Sequence, residues 1–323
     1  PITRAMSTLN SSESAKRPPL ALIAGPTASG KSDLAVRLAL ALKARGREAV
    51  VINADSAQVY SDLAVLSARP LPEDMQGIRH RLFGEWDGAE SCSAADWAAR
   101  ARDVIAEVHA RGGVPVLVGG TGLYLRTLLD GIAPVPPIDP AVREAVRAMP
   151  VAEAYAALQA EDPAKAALLS PADTTRVARA LEVVRSSGRP LADWQADRIG
   201  GIGDSVSLHA RVLLPQREWL YERCDRRFAL MLANGAIAEV ERLLARHLDP
   251  ALPVMRAIGV PELAALLAGE ITAAEAETRG AQATRNYAKR QYTWFRNQPP
   301  PEWQRIESLD YDTEVLFASL LRD

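Results

Sequence analysis

Cysteine and histidine are scarce in this sequence, with two and four residues among 323. Two cysteines, Cys92 and Cys224, are too few for a disulfide framework or a cysteine-based zinc site. The four histidines show none of the spacings that hold a metal ion. This composition fits a protein of the reducing cytoplasm, where thiols stay unpaired.

Long apolar runs and an excess of one charge are missing as well. No run approaches the ~20 apolar residues of a membrane span, so we expect no membrane among the partners. Residues 1–18 are polar without the apolar core of a signal peptide, and we expect a disordered tail there. With 38 Lys and Arg against 40 Asp and Glu, the net charge is −2, so any polyanion site must rest on clustered basic residues.

The most informative segment is a complete G-x-x-x-x-G-K-[ST] motif, residues 25–32, which we call the phosphate loop. It follows an apolar run at residues 20–24 and precedes a helical pattern at residues 33–44. Its glycines let backbone N–H groups cup an anion, and the helix N-terminus adds free donors and a partial positive charge. Lys31 supplies a full charge, and the Ser32 hydroxyl can bind a metal ion. We predict a di- or triphosphate site formed by Gly25, Pro26, Thr27, Ala28, Ser29, Gly30, Lys31 and Ser32.

Short apolar runs alternate with helical patterns in the first part of the chain. They predict an α/β fold with a parallel-sheet core like that of the P-loop NTPases, and strands at residues 20–24, 49–54, 114–118 and 209–214. Four prolines between residues 134 and 140 mark a boundary, after which the pattern is helical to about residue 194. We therefore predict a core at residues 19–133 and 206–323, interrupted by a helical insertion at residues 134–205.

Two polar residues follow predicted strands at the edge where such sheets bind ligands. Asp55 follows the second strand, and the sequence leaves three roles open for it: a general base, a metal ligand or a cap of the next turn. Thr121 lies between glycines that let a ligand approach closely, although a simple strand-to-helix turn is the alternative.

A helix predicted over residues 284–296 has a basic face that also carries an aromatic ring. Phosphate contacts and base stacking would suit that face, and a merely solvated surface is the alternative. Tyr287 and Trp294 lie on the opposite side, where we expect packing. The basic face consists of Arg285, Lys289, Tyr292 and Arg296.

Two other helical patterns carry arginines. Arg176 and Arg179 are three residues apart, so on a helix they form a ridge that can contact nucleic acid. Arg223, Arg226 and Arg227 belong to a later helix and can neutralise charge that develops on a pyrophosphate. Ordinary surface charge is the alternative in both helices.

Seven separated segments together resemble the bacterial tRNA dimethylallyltransferases, also called tRNA isopentenyltransferases. The phosphate loop alone is generic, but its G-P-T-A-S-G-K form together with D-S-x-Q-x-Y and G-G-T-x-L-Y is specific. The segments occur in family order between roughly residues 20 and 298. They are residues 25–32, 55–60, 93–97, 118–124, 179–183, 223–231 and 288–296.

The resemblance implies a reaction and a set of catalytic residues. The dimethylallyl group of dimethylallyl diphosphate would be transferred to N6 of adenosine 37 in tRNA, and pyrophosphate would leave. The phosphate loop would hold the diphosphate with Mg²⁺, for which Ser32 supplies a ligand. Asp55 would accept the amine proton, Thr121 would hydrogen-bond the departing pyrophosphate, and Lys31 and Arg223 would stabilise its charge.

The resemblance also implies how tRNA is held. The helical insertion would grip the anticodon stem-loop, near A36 and A37, and the target base would be flipped out of its stack. We expect the enzyme to be cytoplasmic, and a monomer would suffice for the reaction. Residues implied in tRNA contact are Ser56, Ala57, Gln58, Arg176, Arg179, Arg285, Lys289, Arg290, Tyr292 and Arg296.

The sequence departs from the family pattern in two places. In the segment that usually reads G-T-A-K-P, Leu66 replaces glycine and Arg69 replaces lysine. In the segment that usually reads H-H-L-I-D, Gly84 stands where aspartate is common. These changes bear on loop geometry and metal support at the site.

Three other functions share part of the pattern. A P-loop kinase would have the same phosphate loop, with Asp55 activating a hydroxyl. An enzyme that prenylates free AMP or ADP would share the chemistry, and a non-catalytic RNA-binding protein would keep the basic helices. The insertion and the G-G-T segment argue against the kinase, and the intact phosphate loop with Asp55 and Thr121 argues against the non-catalytic protein.

Overall fold

The computed structural model describes residues 16–322, so most of the predicted tail, residues 1–15, lies outside the described residues. The chain forms two compact units. The sheet unit comprises the described residues up to Cys92, Asp103–Gly122 and the residues from Asp204 onward. The helical unit comprises Ser93–Arg102 and Leu123–Gly203. It contains most of residues 134–205, whose role as an insertion stays a prediction.

Strands and helices alternate at first and a long run of helices follows. The strands are β1 (Pro19–Ala24), β2 (Ala49–Asn53), β3 (Arg79–Arg81), β4 (Val114–Gly119), β5 (Ser207–Leu213) and β6 (Gln304–Ile306). The helices are α1 (Lys31–Ala44), α2 (Pro72–Met75), α3 (Ala94–Ala110), α4 (Gly122–Asp130), α5 (Pro140–Ala148), α6 (Val151–Glu161), α7 (Pro163–Ala166), α8 (Thr174–Ser187), α9 (Leu191–Ala196), α10 (Arg217–Ala233), α11 (Ala236–Leu244), α12 (Val260–Leu267), α13 (Ala273–Asn297), α14 (Thr313–Leu316) and α15 (Ala318–Arg322). None of these helices is both long and apolar enough to cross a membrane.

The strands of the described chain form one parallel sheet in the order β3-β2-β4-β1-β5-β6. β1 lies between β4 and β5, so that Ala24 at its end pairs with Gly119 and Val212. Almost every residue of β1, β2 and β4 is buried and most are aliphatic, as strands covered on both faces require. The carboxyl ends of these three strands therefore meet at one edge, where the phosphate loop, Asp55 and Thr121 follow them.

The α/β fold with a parallel sheet, predicted from the sequence, is confirmed. The four predicted strands correspond to β1, β2, β4 and β5, with small shifts of their ends. Strands β3 and β6 were not predicted because each is only three residues long and together they contain a single apolar residue, Ile306. Short polar strands of this kind are typical of sheet edges.

The helical unit has an apolar core of its own. Helices α5, α6, α7 and α8 supply it, and the buried side chains include Val177 and Leu181 of α8. Asp139 and Asp173 cap α5 and α8, because each aspartate side chain accepts a hydrogen bond from an N–H group of the first helical turn. The unit thus combines a shared apolar stripe with capped helix ends.

In the sheet unit, α13 packs against α10 at a point that has no room for a side chain. A Cβ atom at Gly280 of α13 would lie 1.9 Å from Cζ of Phe228 on α10. The ring of Phe228 is buried at 1% exposure. Helix α13 itself begins with a capping box in which Thr272 and Glu275 satisfy each other's backbone N–H groups.

We expect Gly280→Ala to lower the free energy of unfolding by about 1–3 kcal/mol, because overpacking against Phe228 outweighs the better helix propensity of alanine. Chemical denaturation measures the change. In a Phe228→Leu background the same substitution should cost less, since leucine leaves room for the methyl group. A single variant as stable as the native protein would contradict the close packing of these helices.

Candidate active site

The phosphate loop turns away from the sheet between β1 and α1. Gly25 has a φ of +154°, and a Cβ atom there would lie 2.6 Å from the carbonyl oxygen of Leu213, so glycine is required. The loop ends at Gly30, the N-cap of α1. Its Ser29 hydroxyl is buried and has no hydrogen-bond partner within residues 16–322. The loop therefore offers an unused polar group next to a helix N-terminus, as an anion site does.

A cavity of about 530 Å³ opens beside the phosphate loop, and all of its lining residues belong to the sheet unit. The loop forms one wall and α10 supplies arginines to another. Asp55 and Gln58 contribute from the segment after β2, and Ser67, Ala68 and His80 lie farther along. The cavity thus gathers four separated parts of the chain around the predicted phosphate site.

Three cations surround the loop. The Nζ atom of Lys31 donates to the carbonyl oxygen of Pro26 at 3.0 Å. Nη1 of Arg227 donates to Oγ1 of Thr27 at 3.0 Å, and Nε of Arg223 donates to the carbonyl oxygen of Ala28 at 2.9 Å. These contacts hold three positive charges against the loop, so the cavity suits a ligand with several negative charges.

The protonation of the buried cations reflects their surroundings. Burial lowers the pKa of Lys31 to about 8; the Asp55 charge opposes this shift and the Arg227 charge adds to it. Burial also lowers the pKa of Arg227, again opposed by Asp55. One carboxylate therefore stabilises two buried cations, which leaves net positive charge for an anionic ligand.

Asp55 is 8% exposed and lines the cavity. Its backbone N–H donates to Oδ1 of Asn53 at 2.9 Å, and its own Oδ1 accepts from the N–H of Ala57 at 2.9 Å. The side chain therefore caps the turn after β2, one of the roles left open by the sequence, while it also faces the ligand space. The capping bond fixes the direction of the carboxylate.

Thr121 lies after β4 and is tied to the residue that follows Asp55. Its Oγ1 accepts from the N–H of Ser56 at 2.9 Å and donates to the Ser56 hydroxyl at 3.2 Å. Val118 and Gly119 line the cavity, but Thr121 itself is not part of the lining. The structure thus brings Thr121 to Ser56, one residue from Asp55, rather than into direct contact with the phosphate loop.

The predicted metal ligand, Ser32, lines the same cavity as Asp55. Within the described chain there is no group of three or more His, Cys, Asp or Glu that could hold a metal ion. Mg²⁺ commonly takes one or two protein oxygens and completes its shell with phosphate and water. One hydroxyl and one carboxylate beside a phosphate site fit that sparse donor set.

The basic face predicted on the C-terminal helix lies on α13, where its members differ in environment. Lys289 and Arg296 are exposed, as is the neighbouring Arg290. Arg285 forms an ion pair with Asp225. The ring of Tyr292 lies under the Arg217 guanidinium at 4.9 Å and its hydroxyl donates to Leu214 O at 3.4 Å. The face therefore holds two exposed cations, Lys289 and Arg296, and two residues engaged within the protein.

The packed side of α13 differs from the expectation. Its most buried side chains in this part are Ala288, Gln291 and Phe295, whereas Tyr287 and Trp294 are half-buried. The buried side chains of α13 therefore lie between the basic face and the side that carries Tyr287 and Trp294.

The other residues implied in tRNA contact lie in both units. Arg176 and Arg179 of the helical unit are exposed, and Arg176 pairs with Asp173 at 3.2 Å. Ser56, Ala57 and Gln58 follow Asp55 in the sheet unit. The amide of Gln58 donates to the carbonyl oxygens of Ser67 and Ala68, both at 3.0 Å, so it braces the far cavity wall.

The sequence reasoning missed three residues that organise the site. Asn53 holds the backbone of Asp55. Gln291 of α13 accepts from the N–H of Thr27 at 2.7 Å and donates to Gly120 O at 2.9 Å. The hydroxyl of Tyr287 reaches the side chains of Thr121 and Ser56. The sequence offered one signal for Gln291: it is a polar residue on a helix face that is otherwise packed.

Two residues that depart from the family pattern, Arg69 and Leu66, each occupy space beside a glycine. A Cβ atom at Gly84 would lie 1.6 Å from Nη1 of Arg69, so the glycine provides the space that the arginine occupies. A Cβ atom at Gly259 would lie 2.6 Å from Cδ2 of Leu66. Each larger residue is thus accommodated by a glycine elsewhere in the sheet unit.

Comparison with known proteins covers nearly the whole chain. The family model described as IPP transferase matches residues 58–298. A zeta toxin model matches residues 3–62, which include the phosphate loop. A tRNA dimethylallyltransferase of Erythrobacter litoralis is 67% identical over 307 residues, which cover 95% of this chain and 97% of that protein. One from Zymomonas mobilis is 52% identical over 295 residues, covering 91% and 93%.

Solved structures are similar in fold over most of the chain. A tRNA isopentenylpyrophosphate transferase of Bacillus halodurans has a TM-score of 0.66 and 32% identity, covering 94% of each chain. A eukaryotic dimethylallyltransferase acting on tRNA has a TM-score of 0.72 and 26% identity, covering 86% of this chain and 70% of the other. The resemblance found in the sequence motifs is confirmed: the chain belongs to the tRNA dimethylallyltransferase family of transferases.

Proposed function

We propose that this protein transfers the dimethylallyl group of dimethylallyl diphosphate to N6 of adenosine 37 in tRNA and releases pyrophosphate. The observation that carries the proposal is the cluster of Lys31, Arg223 and Arg227 around the phosphate loop, with Asp55 in the same cavity. Three cations suit a diphosphate leaving group, and one carboxylate suits a proton acceptor. Membership of the family supports both assignments.

The reaction requires one bond to form and one to break. The adenine N6 nitrogen attacks C1 of the dimethylallyl group, the bond between C1 and the diphosphate oxygen breaks, and its electron pair leaves with pyrophosphate. Lys31, Arg223 and Arg227 stabilise the charge that develops on that oxygen, which is the main requirement for an allylic leaving group. Asp55 accepts the proton that the amine loses, because its Oδ1 is held by Ala57 and its carboxylate faces the cavity.

Thr121, which follows the end of β4, assists the leaving group. Its hydroxyl proton points to Ser56 in the structure and can turn to a phosphate oxygen, while its oxygen continues to accept from the Ser56 N–H. Ser32 would hold Mg²⁺ next to the diphosphate. When bound, the ion neutralises phosphate charge and so favours departure of pyrophosphate.

We further propose that exposed basic residues hold the tRNA. Lys289, Arg290 and Arg296 would contact phosphates, and Arg176 and Arg179 of the helical unit would grip the anticodon stem-loop that contains A36 and A37. The enzyme would act as a monomer in the cytoplasm.

A transfer assay tests the function. Radiolabelled dimethylallyl diphosphate and Mg²⁺ are mixed with the protein and one acceptor: unmodified tRNA with A36 and A37, the same tRNA with guanosine at position 37, or free AMP. We expect label only in the first tRNA. Label in AMP alone would identify an adenylate prenyltransferase. No transfer, together with ATP turnover on a small acceptor, would favour a kinase.

We expect Asp55→Asn to lower kcat by about 10²–10⁴-fold while tRNA affinity changes by less than about threefold. The amide oxygen can still accept from the Ala57 N–H, so the turn is kept, while the proton acceptor and the charge that opposes the lowered pKa of Lys31 and Arg227 are lost. Single-turnover kinetics and a tRNA binding titration separate the two effects. Asp103→Asn, an exposed substitution on α3, is the control. A binding loss as large as the rate loss would assign Asp55 a structural role.

Binding of dimethylallyl diphosphate should take up protons near pH 8. Because the pKa of Lys31 is lowered to about 8, chiefly by burial, roughly half of these lysines are neutral at that pH. A bound diphosphate favours the charged form, so uptake is about half a proton at pH 8 and much less at pH 6.5, and affinity falls as pH rises through 8.

Calorimetry without tRNA, in buffers of different ionisation heat, counts the protons taken up. Lys31→Arg does not titrate in this range and should show far smaller uptake. Equal uptake by the native protein and the variant would contradict the assignment to Lys31.

A further inference from the structure

Helix α13 contacts both halves of the site through one buried amide. Gln291 is 5% exposed; its Oε1 accepts from the N–H of Thr27 at 2.7 Å and its Nε2 donates to Gly120 O at 2.9 Å. Thr27 belongs to the phosphate loop, and Gly120 immediately precedes Thr121. A Cβ atom at position 120 would lie 2.2 Å from Nε2 of Gln291. The amide therefore fills the space between the two segments and uses both of its polar atoms there.

One turn earlier on the same helix, Tyr287 reaches Thr121 directly. Its hydroxyl lies within hydrogen-bonding reach of the side chains of Thr121 and Ser56. Burial raises the pKa of Tyr287 and the charge of Asp55 raises it further, whereas the hydrogen bonds with Thr121 and Ser56 lower it, so the phenol stays protonated and bonded to both side chains. Thr121 already accepts from the Ser56 N–H and donates to the Ser56 hydroxyl. Tyr287 thus completes a small network that fixes the Thr121 oxygen.

The rest of this part of α13 is packed against the same segments. Ala288 belongs to a buried cluster with Ala28 of the phosphate loop and with Cys224 of α10. A Cβ atom at Gly122 would lie 2.5 Å from the ring of Trp294. The helix is therefore held rigidly against both strand ends, and Gln291 and Tyr287 have little freedom to move away.

We propose that Gln291 and Tyr287 are positioning residues for the transfer reaction. Gln291 sets the separation between the phosphate loop and the Thr121 segment, and Tyr287 orients the Thr121 hydroxyl for the departing pyrophosphate. Neither residue lines the cavity, so both act through their partners: Thr27 is part of the lining, and Gly120 and Thr121 directly follow Gly119, which also lines it. The inference rests on the proposed function, because the departing pyrophosphate is what Thr121 is positioned to meet.

The magnitude of such an effect follows from geometry. A donor stabilises a leaving group only if it already points to where the charge develops, and a displacement of about 1 Å can cost about 10²-fold in rate. The Thr27 N–H and the Thr121 hydroxyl come from different strand ends that are joined across the site by Gln291. Loss of this link should therefore lower kcat more than it raises the KM for tRNA.

The first test is Gln291→Glu, with Gln304→Glu on the exposed surface of β6 as the matched control. Glutamate keeps the size and can still accept from the Thr27 N–H, but its second oxygen faces Gly120 O without a proton to share. We expect kcat to fall about 10–100-fold, the KM for tRNA to change by less than about threefold, and the control to stay within twofold. A folded Gln291→Glu variant with native kcat would overturn the role of Gln291.

The second test is Tyr287→Phe, which removes one oxygen and tests the role of Tyr287 whether or not Gln291→Glu folds. We expect a drop of about 3–30-fold in kcat in the native background and less than about twofold in a Thr121→Val background, because Tyr287 acts through Thr121. The control is Tyr311→Phe, which removes a tyrosine hydroxyl that contacts Arg37. An equal drop in both backgrounds, or none in the native one, would overturn the role of Tyr287.

Inorganic pyrophosphate binding separates this proposal from the proposed function. If the native protein transfers no dimethylallyl group to tRNA, the proposed function fails, and the pyrophosphate titration alone decides for Gln291. We expect Gln291→Glu to bind pyrophosphate about 10-fold more weakly than Gln304→Glu, because residue 291 no longer joins the Thr27 segment of the phosphate loop to Gly120. Equal affinities would overturn the positioning role.

Discussion

Positive charge buried at the phosphate loop constrains the rest of the sheet unit. Burial lowers the pKa of Lys31 and of Arg227, and one carboxylate, Asp55, opposes both shifts. Buried cations cost free energy unless opposite charge and hydrogen bonds compensate for the lost water. The hydrogen bonds to Pro26 O and Thr27 Oγ1 supply part of that compensation and hold both cations rigidly in place. A diphosphate relieves the imbalance, so the same arrangement that costs stability favours the ligand.

The rigidity extends outward through residues that never meet a ligand. Asn53 holds Asp55, and Gln58 holds the wall at Ser67 and Ala68. Behind that wall, Glu239 accepts hydrogen bonds from three consecutive backbone N–H groups, residues 64–66, at 2.6–2.9 Å. A buried carboxylate satisfied by backbone donors fixes a turn without a counter-ion. The wall segment therefore keeps its shape although Leu66 and Arg69 depart from the family pattern.

Local patterns predicted much of this architecture. The apolar runs revealed the parallel sheet, and the glycine spacing revealed the phosphate loop, because both depend on neighbours in sequence. The contacts of Gln291 with Thr27 and Gly120 join residues more than 150 positions apart, so no local pattern contains them. Whether Asp55 acts as a base or only as a cap was equally undecidable from sequence, since its orientation depends on Asn53 and Ala57. The assigned chemical roles remain predictions, whereas the family is established.

The strand order also has a consequence for biosynthesis. β1 needs both β4 and β5 as neighbours, and Pro19 pairs with Ser207. Synthesis adds about 5–20 residues per second, so one edge of β1 stays open for several seconds after β4 leaves the ribosome. The chain made in that interval is largely the helical unit, whose own apolar core allows it to fold meanwhile. An exposed strand edge is prone to aggregate, and the nascent enzyme must keep it protected until β5 arrives.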